Sequence, residues 1–310
     1  MEIFGQLFNA LPGSVSQGLI WGIMAIGVYI TYRILDVADL TVDGSFATGG
    51  AVAVMLILNG WNLWLAMLMA FIAGLLAGAI TGLLNTFMGI PPILAGILTQ
   101  LSLYSINLKI LGKSNQAINV NKTELLISLR WVRDFAFHNP IFTVGLILAV
   151  LIAILYWFFG TEMGCAVRAT GINQNMSRAQ GINTSVNKVL GIMISNGLVA
   201  FSGALLAQYQ GFADIKMGQG SIVIGLAAVI IGEAIFGKIF KNFALRLLSV
   251  ALGSIIYYIV IQTVITLGFD ANLMKLLSAT LVAIFLAIPH WKRQYAAKHV
   301  KKHKEENTNA

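Results

Sequence analysis

Nine long apolar stretches, joined by polar connections of different lengths, make up most of the chain. About 20 predominantly apolar residues are needed for a helix to cross the hydrocarbon core of a bilayer, and each stretch is close to that length. Only 10% of the residues are charged, against about 25% in a soluble domain. The chain is therefore predicted to cross a membrane many times. The stretches are 14–33, 44–60, 62–84, 91–111, 140–160, 187–208, 219–237, 243–268 and 272–289.

The continuity of these apolar runs favours helices. In lipid the backbone must satisfy its own hydrogen bonds, which leaves helices and closed barrels, and barrel strands would alternate polar with apolar residues over about ten positions. We predict an all-α transmembrane bundle of about eight to ten spans over residues 1–289, followed by a basic tail, 290–310. The stretch 44–60 is rich in small residues and preceded by acidic residues. It either crosses the membrane or forms a re-entrant segment.

The basic residues predict how the bundle is oriented. Lys and Arg concentrate at the cytoplasmic ends of membrane helices. The alternate connections 209–218 and 268–275 hold one basic residue each, so the basic segments fall on one side, in the cytoplasm. Counting backwards places 112–139 outside, together with the N-terminus if all nine stretches span. Twelve of the twenty Lys and Arg lie in just three segments: 161–188, 237–246 and 290–310.

Glycines at four-residue spacing predict close contacts between helices. Gly18 and Gly22 have this spacing, as does the series Gly74, Gly78 and Gly82. Small residues spaced in this way let transmembrane helices approach one another.

The sequence contains no catalytic motif in a setting where it could act. Gly112-Lys113-Ser114 has the ending of a phosphate-binding P-loop, but Asn107 stands where its first glycine is required. The single Cys165 excludes an internal disulfide and a Cys-rich metal site. No Ser/His/Asp set, zincin motif or catalytic carboxylate pair is evident. No catalytic residue, metal or cofactor is therefore expected, and the distribution of charge argues against a nucleic-acid partner.

An acidic segment follows the first span. If residues 33–43 are helical, Arg33, Asp36, Asp39 and Asp43 share a face, and Arg33 can pair with Asp36. Charges at membrane depth cost about 2.5–3.5 kcal/mol each, so they are normally paired or line a wet cavity. The segment therefore either lines a translocation route or is an acidic connection between two spans.

A polar interruption, Thr161 to Gly191, is too long for a simple turn between spans. It holds three basic residues against one acid, Glu162. It is either a docking surface or a solvated loop that only determines topology. Gly164, Gly171 and Gly181 predict tight turns that place a short helix from about Gln174 to Gln180.

This interruption also carries a family resemblance. Arg168-Ala169-Thr170-Gly171-Ile172-Asn173, followed by Ala179-Gln180-Gly181-Ile182-Asn183, resembles the cytoplasmic coupling loop of ABC importer permeases that serve branched-chain amino acids and ribose-type sugars. The resemblance extends in order from about residue 15 to 290, through the Pro-opened span at Pro91-Pro92. It implies a coupling loop over 161–186, whose candidate residues are Gly164, Arg168, Ala169, Gly171, Asn173, Arg178, Ala179, Gly181 and Ile182.

Leu40-Thr41-Val42-Asp43-Gly44-Ser45-Phe46 resembles the family's signature along the translocation route, with Asp43 where amino-acid members often have His. Thr99-Gln100-Leu101-Ser102 is similar to another region near that route, although a polar patch of this kind also serves as contact between helices. The resemblance implies these pathway residues: Asp39, Thr41, Asp43, Gly44, Phe46, Thr99 and Gln100.

The resemblance implies a permease subunit of a binding-protein-dependent importer in a bacterial cell membrane. The expected cargo is an amino acid, and aromatic amino acids are among the candidates. The expected partners are cytoplasmic ABC ATPase subunits, an extracytoplasmic binding lipoprotein, and a second permease, which is either another copy of this chain or a related one. Arg168 is expected to contact an acidic rim of the ATPase. Two other classes are weighed against it. The first is an ion-coupled secondary transporter, which would bind its ion at the Asp36/Asp39/Asp43 face. The second is a membrane enzyme, for which the sequence offers no set of catalytic residues.

Two smaller expectations concern single segments. Apolar residues at helical spacing in Thr123 to Phe137 predict a short helix at the outer interface, either docking a binding protein or forming a lid. Glu233, near the inner end of its span, is expected to face the cytoplasm.

Overall fold

Ten α-helices and one short strand pair form the part of the chain that the structure, a computed structural model, describes: residues 2–118, 125–132 and 139–268, with 276, 278–280, 282–284 and 287 beyond them. The elements are α1 (Glu2–Tyr29), α2 (Val42–Leu58), α3 (Leu63–Thr86), α4 (Pro92–Leu111), β1 (Asn115–Ala117), α5 (Pro140–Gly160), α6 (Glu162–Ile172), α7 (Gln174–Ala179), α8 (Thr184–Gln210), β2 (Phe212–Asp214), α9 (Ser221–Phe236) and α10 (Phe243–Thr266).

Six helices within these ranges are long and apolar enough to cross a membrane: α1 with its π-helical extension to Ile34, α3, α4, α5, α8 and α10. The stretches predicted at 44–60 and 219–237 form the shorter helices α2 and α9. The prediction of an all-α polytopic bundle is therefore confirmed. The predicted span 272–289 is described at only a few positions, and the tail 290–310 lies outside the described residues.

α1 and α8 form the centre of the bundle, and glycines bring their neighbours close. Of their most apolar windows, 78% in α1 and 72% in α8 are buried, against 17% in α5. A Cβ at Gly18 or Gly22 would press on α10 at Ile255 or Ala251. A Cβ at Gly74, Gly78 or Gly82 would press on successive turns of α8. The contacts predicted from the glycine spacing are confirmed.

Side-chain contacts show the relative direction of the two central helices. Ser202 and Tyr209 on α8 donate to the carbonyl oxygens of Ile20 and Gly13, so α1 and α8 run antiparallel. β1 pairs with β2 at the end of the bundle where α8 finishes, which we call the strand end. α6 and α7 lie at the opposite end, which we call the coupling end. The N-terminal part of α1 is therefore at the strand end, across the bundle from α6 and α7.

The predicted outer helix over Thr123 to Phe137 is described only in part. Residues 129–131 form a single 3₁₀ turn, Leu126 donates its backbone N–H to Gln208 on α8, and the flanking positions 123–124 and 133–137 lie outside the described residues. A longer helix in this segment stays a prediction.

Candidate functional site

The coupling segment is more helical than its sequence predicts. The short helix expected from about Gln174 to Gln180 is present as α7, but the residues before it also form a helix, α6. Each helix starts at a polar cap: Thr161 Oγ1 accepts from the Gly164 N–H, and Asn173 Oδ1 accepts from the Met176 N–H. Asn183 caps α8 in the same way. Side-chain oxygens at these positions satisfy N–H groups that have no partner within the helix.

The three glycines of this segment have different roles. Gly181, with φ of +80°, makes the predicted tight turn between α7 and α8. The prediction of turns at Gly164 and Gly171 is wrong, because both lie inside α6. A Cβ at Gly171 would collide with the carbonyl oxygen of Ile34, and one at Gly164 with that of Phe158. These two glycines let α6 lie directly against the ends of α1 and α5.

Large apolar side chains of this segment face outward. Ile172 is 86% exposed and Met176 is 65% exposed. Asn173 and Ala179 are also exposed, whereas Ala169 and Ile182 are half-buried. Arg178 is exposed and donates to Thr184 Oγ1 at 2.9 Å, which ties α7 to the first turn of α8.

Arg168 lies on the side of α6 that faces α10. Its guanidinium carbon is 5.5 Å from the centre of the Phe243 ring, a cation–π contact. The sequence predicts that Arg168 meets an acidic rim of a partner, and this remains a prediction. The contact with Phe243 lies within the subunit itself.

The acidic segment does not form the predicted single face. The helix ends after a π-helical turn at Ile34, and Asp36 has φ of +54°, a left-handed conformation that turns the chain. Arg33 pairs with Glu233 of α9 at 3.1 Å, so the predicted pair with Asp36 is wrong. Glu233 is therefore paired with Arg33, and whether it faces the cytoplasm stays a prediction. The three aspartates point to three different surroundings, since the chain between them is not helical.

Asp39 lies in a buried polar network. It is 3% exposed, and its two carboxylate oxygens accept hydrogen bonds from the Thr41 N–H at 2.9 Å and from Asn196 Nδ2 at 2.7 Å. Asn196, in the middle of α8, accepts in turn from the Ser45 hydroxyl at 2.7 Å. Hydrogen bonds of this kind are what makes a buried carboxylate tolerable. They join the break after α1 to α2 and α8.

A row of threonine hydroxyls continues this network. Thr41 and Thr81 hydroxyls lie 2.7 Å apart, and Thr81 donates to Thr99 at 2.9 Å. All three side chains are buried. The row links the start of α2 to α3 and α4. Gln100, next along α4, is half-buried, and its α-carbon would meet a Cβ at Gly44.

Asp43 has a different task, because it caps another helix. Its carboxylate accepts from the backbone N–H groups of Gly220 and Ile222 at 2.9 and 3.0 Å and from the Ser221 hydroxyl at 2.8 Å. A negative charge at the N-terminus of α9 also complements the dipole of that helix. Phe46, one turn on, is fully buried and stacks on Trp21 at 4.8 Å between ring centres.

Of the seven predicted pathway residues, five are buried and two, Asp43 and Gln100, are half-buried. They lie together around the start of α2, against α3, α4, α8 and α9. The sequence reasoning missed Ser45, Thr81 and Asn196, which complete the network. The available signal was a polar side chain inside an apolar stretch, although 187–208 holds other polar residues, such as Ser195 and Ser202, that did not single out Asn196.

Comparisons with known proteins agree with this fold. The model of the family described as branched-chain amino acid transport system permease component matches residues 11–287. The tyrosine transport system permease protein of Clostridioides difficile strain R20291 is 39% identical over 276 residues, which cover 88% of this chain and 89% of that protein. The fructose import permease protein FruF of Bifidobacterium longum strain NCC 2705 is 30% identical over 251 residues, covering 79% and 68%.

The fold is also similar to that of a solved structure, a metal-chelate-type ABC transporter in an inward-facing conformation. The TM-score is 0.52 at 14% identity, with 91% of this chain and 87% of that chain covered. The resemblance inferred from the coupling segment is confirmed, and the chain is a multi-pass membrane protein. It belongs to the family of permease components of branched-chain amino acid transport systems.

Proposed function

We propose that this chain is the permease subunit of an ABC importer and that α6 and α7 receive the movement of a cytoplasmic ATPase. The observation that carries the proposal is the outward-facing pair Ile172 and Met176, 86% and 65% exposed on short helices outside the bundle. Large exposed apolar side chains beside polar residues mark protein interaction sites. A helix of this kind fits a groove in a partner.

The attachment of α6 and α7 supports a mechanical role. Gly171 lets α6 lie against the backbone at Ile34, the end of the long first span. Arg178 ties α7 to Thr184 at the start of α8. Force applied to the coupling segment therefore reaches α1 and α8, the two most buried spans. ATP hydrolysis by the partner would tilt these spans, so that the translocation pathway opens alternately to the two sides of the membrane.

We propose a small polar solute as cargo, specifically an amino acid and among these an aromatic one. The proposal rests on the 39% identity to the tyrosine transport permease of C. difficile. The fructose permease at 30% identity shows that relatives carry different solutes. The aspartate at position 43 departs from the family pattern of amino-acid members, so cargo must be measured directly.

The proposed orientation places the coupling end in the cytoplasm, with the tail 290–310 on the same side of the membrane domain 1–289. Its support is the cluster of basic residues at that end, as the positive-inside rule requires. These residues are Arg168, Arg178, Lys188, Lys238, Lys241 and Arg246. The strand end would then receive an extracytoplasmic binding protein. A second permease, most simply another copy of this chain, would complete the transporter.

The role of the predicted pathway residues stays a proposal. Five of the seven are buried around the start of α2, so substrate would reach those five only if α2 moves away from α3, α4, α8 or α9. An ion-coupled secondary transporter, the alternative function, depended on one acidic face. That face is absent from the described segment 33–43, because Asp36 is exposed while Asp39 and Asp43 are bonded to different helices.

Co-expression with an ABC ATPase and an extracytoplasmic binding protein tests the proposal. The wild-type chain should retain the ATPase through purification, and ATP hydrolysis should rise when the loaded binding protein is added. Ile172→Asp should lose the ATPase while remaining in the membrane fraction. Leu129→Asp, which changes a 58% exposed leucine at the strand end, is the matched control. Retention of the ATPase by Ile172→Asp would contradict the proposed docking surface.

A further inference from the structure

A groove of about 550 Å³ opens at the coupling end between α5, α6 and the start of α10. Aromatic residues Tyr156 and Trp157 form one wall. The opposite wall contains Arg168 on α6 and Lys241, Asn242 and Phe243 at the beginning of α10. The groove therefore combines aromatic rings with two cationic side chains.

The electrostatics of the groove favour an anion. Arg168 and Lys241 both line it, and none of the described lining residues is acidic. The N–H groups at the start of α10 add partial positive charge. The side chain of Asn242, at the N-cap position, makes no cap hydrogen bond to them. Unpaired N–H groups of a first helical turn bind phosphate oxygens readily. Two side-chain cations and a helix start thus converge on one cavity.

One wall of the groove continues into the most outward-facing span. Only 17% of the apolar window of α5 is buried. Leu146, Val150, Ile154 and Trp157 are exposed at three- and four-residue spacing, so they form a stripe along one face of the helix. The stripe ends at Trp157, 71% exposed, at the mouth of the groove. Tryptophan and tyrosine are typical of the level of the lipid headgroups.

We propose that this groove binds the phosphate-bearing headgroup of an anionic phospholipid, whose acyl chains lie along the exposed stripe of α5. Basic pockets between spans at the cytoplasmic face suit such headgroups. The charge complementarity and the continuous apolar path into the groove select a lipid over a soluble anion. The bound headgroup would hold α6 against α10 through Arg168. The inference rests on the proposed orientation of the coupling end, but not on the cargo or the direction of transport.

The test uses the full-length chain in nanodiscs of phosphatidylcholine with or without phosphatidylglycerol. Native mass spectrometry after gentle release counts retained phosphatidylglycerol, and a thermal scan measures the unfolding midpoint. Phosphatidylglycerol should be retained and should raise the midpoint. Lys241→Glu and Arg168→Gln should each weaken its binding about fivefold or more, since a cation near an anionic headgroup contributes on the order of 1 kcal/mol. Lys238→Glu is the matched control, an exposed lysine of the same connection outside the groove.

The proposal is overturned if Lys238→Glu weakens phosphatidylglycerol binding as much as Lys241→Glu, because the attraction would then be a general one. It is equally overturned if inorganic phosphate alone raises the midpoint as much as the lipid does. Unchanged lipid retention in both groove variants, combined with loss of a co-purified ATPase or of a second permease copy, would assign the groove to a protein contact.

Discussion

The carboxylate of Asp43 accepts a hydrogen bond from the backbone N–H of Ile222 at 3.0 Å, so a residue at the start of α2 caps α9 from 179 positions away. The same carboxylate holds Gly220 and Ser221. The starts of two short helices are thereby tied together inside the bundle, next to the middle of α8. Neither α2 nor α9 can shift along its axis without breaking this cap.

Replacement of Asp43 should loosen α9. Asp43→Ala should lower the free energy of unfolding by about 1–3 kcal/mol, since the cap and its charge are both lost. Asp43→Asn should cost less, because its amide oxygen can still accept from the Ile222 N–H. The thermal midpoint of the purified chain measures both effects. Asp36→Asn, at an exposed position, is the control, and an equal loss in that variant would refute the capping role.

The pair of Asp39 and Asn196 allows a test by exchange. Asn196→Ala should destabilise the chain by about 2–3 kcal/mol, because a buried carboxylate loses a donor. The double variant Asp39→Asn with Asn196→Asp keeps one carboxylate and one amide in contact. It should recover a substantial part of the thermal midpoint. A double variant no more stable than Asn196→Ala would show that the hydrogen bond between these side chains contributes little.

Gly171 should be sensitive to a single methyl group. In Gly171→Ala the new Cβ collides with the backbone carbonyl of Ile34, so α6 must move away from the end of α1. Transport should fall severalfold while insertion into the membrane persists. Binding-protein-stimulated uptake into proteoliposomes measures this. Gly145→Ala, where a Cβ meets no atom within 4 Å, is the matched control. Full uptake by Gly171→Ala would remove this contact from the coupling mechanism.

The orientation can be tested with the native sequence. Cys165 is the only cysteine, and it is exposed on α6 at the coupling end. A membrane-impermeant maleimide should label it in inverted membrane vesicles and leave it unmodified in intact spheroplasts. Cys165→Ser provides the background. Labelling from outside the spheroplasts would place the coupling end on the wrong side of the membrane for an ATPase.

The features that depend on the residue pattern of a single segment could be predicted from the sequence. Length and apolarity identified the six long spans, although two of the nine predicted stretches form shorter helices. Four-residue glycine spacing identified the contacts of α1 with α10 and of α3 with α8. The short helix α7 was also predicted. Such signals are periodic along one segment, so they need no knowledge of the rest of the chain.

The break after α1 was not predictable in the same way. The spacing of Arg33, Asp36, Asp39 and Asp43 fits a helix, but Arg33, Asp39 and Asp43 have partners on α8 or at α9, far along the chain. Asp36 adopts a left-handed conformation although it is not a glycine, so no residue of the usual turn type marked this position. Asn196 was overlooked for a related reason: one asparagine in an apolar span has no sequence neighbour that reveals its partner.

α8 runs without interruption for 27 residues, about 40 Å at the helical rise. Its first turn is bonded to α7, and its last residue leads directly into β2. Ser45 and Asp39 are both hydrogen-bonded to Asn196, near the middle of this helix. If α8 tilts about that point, a sideways displacement of its first turn moves its last turn in the opposite direction, so this one helix would connect the two faces of the bilayer.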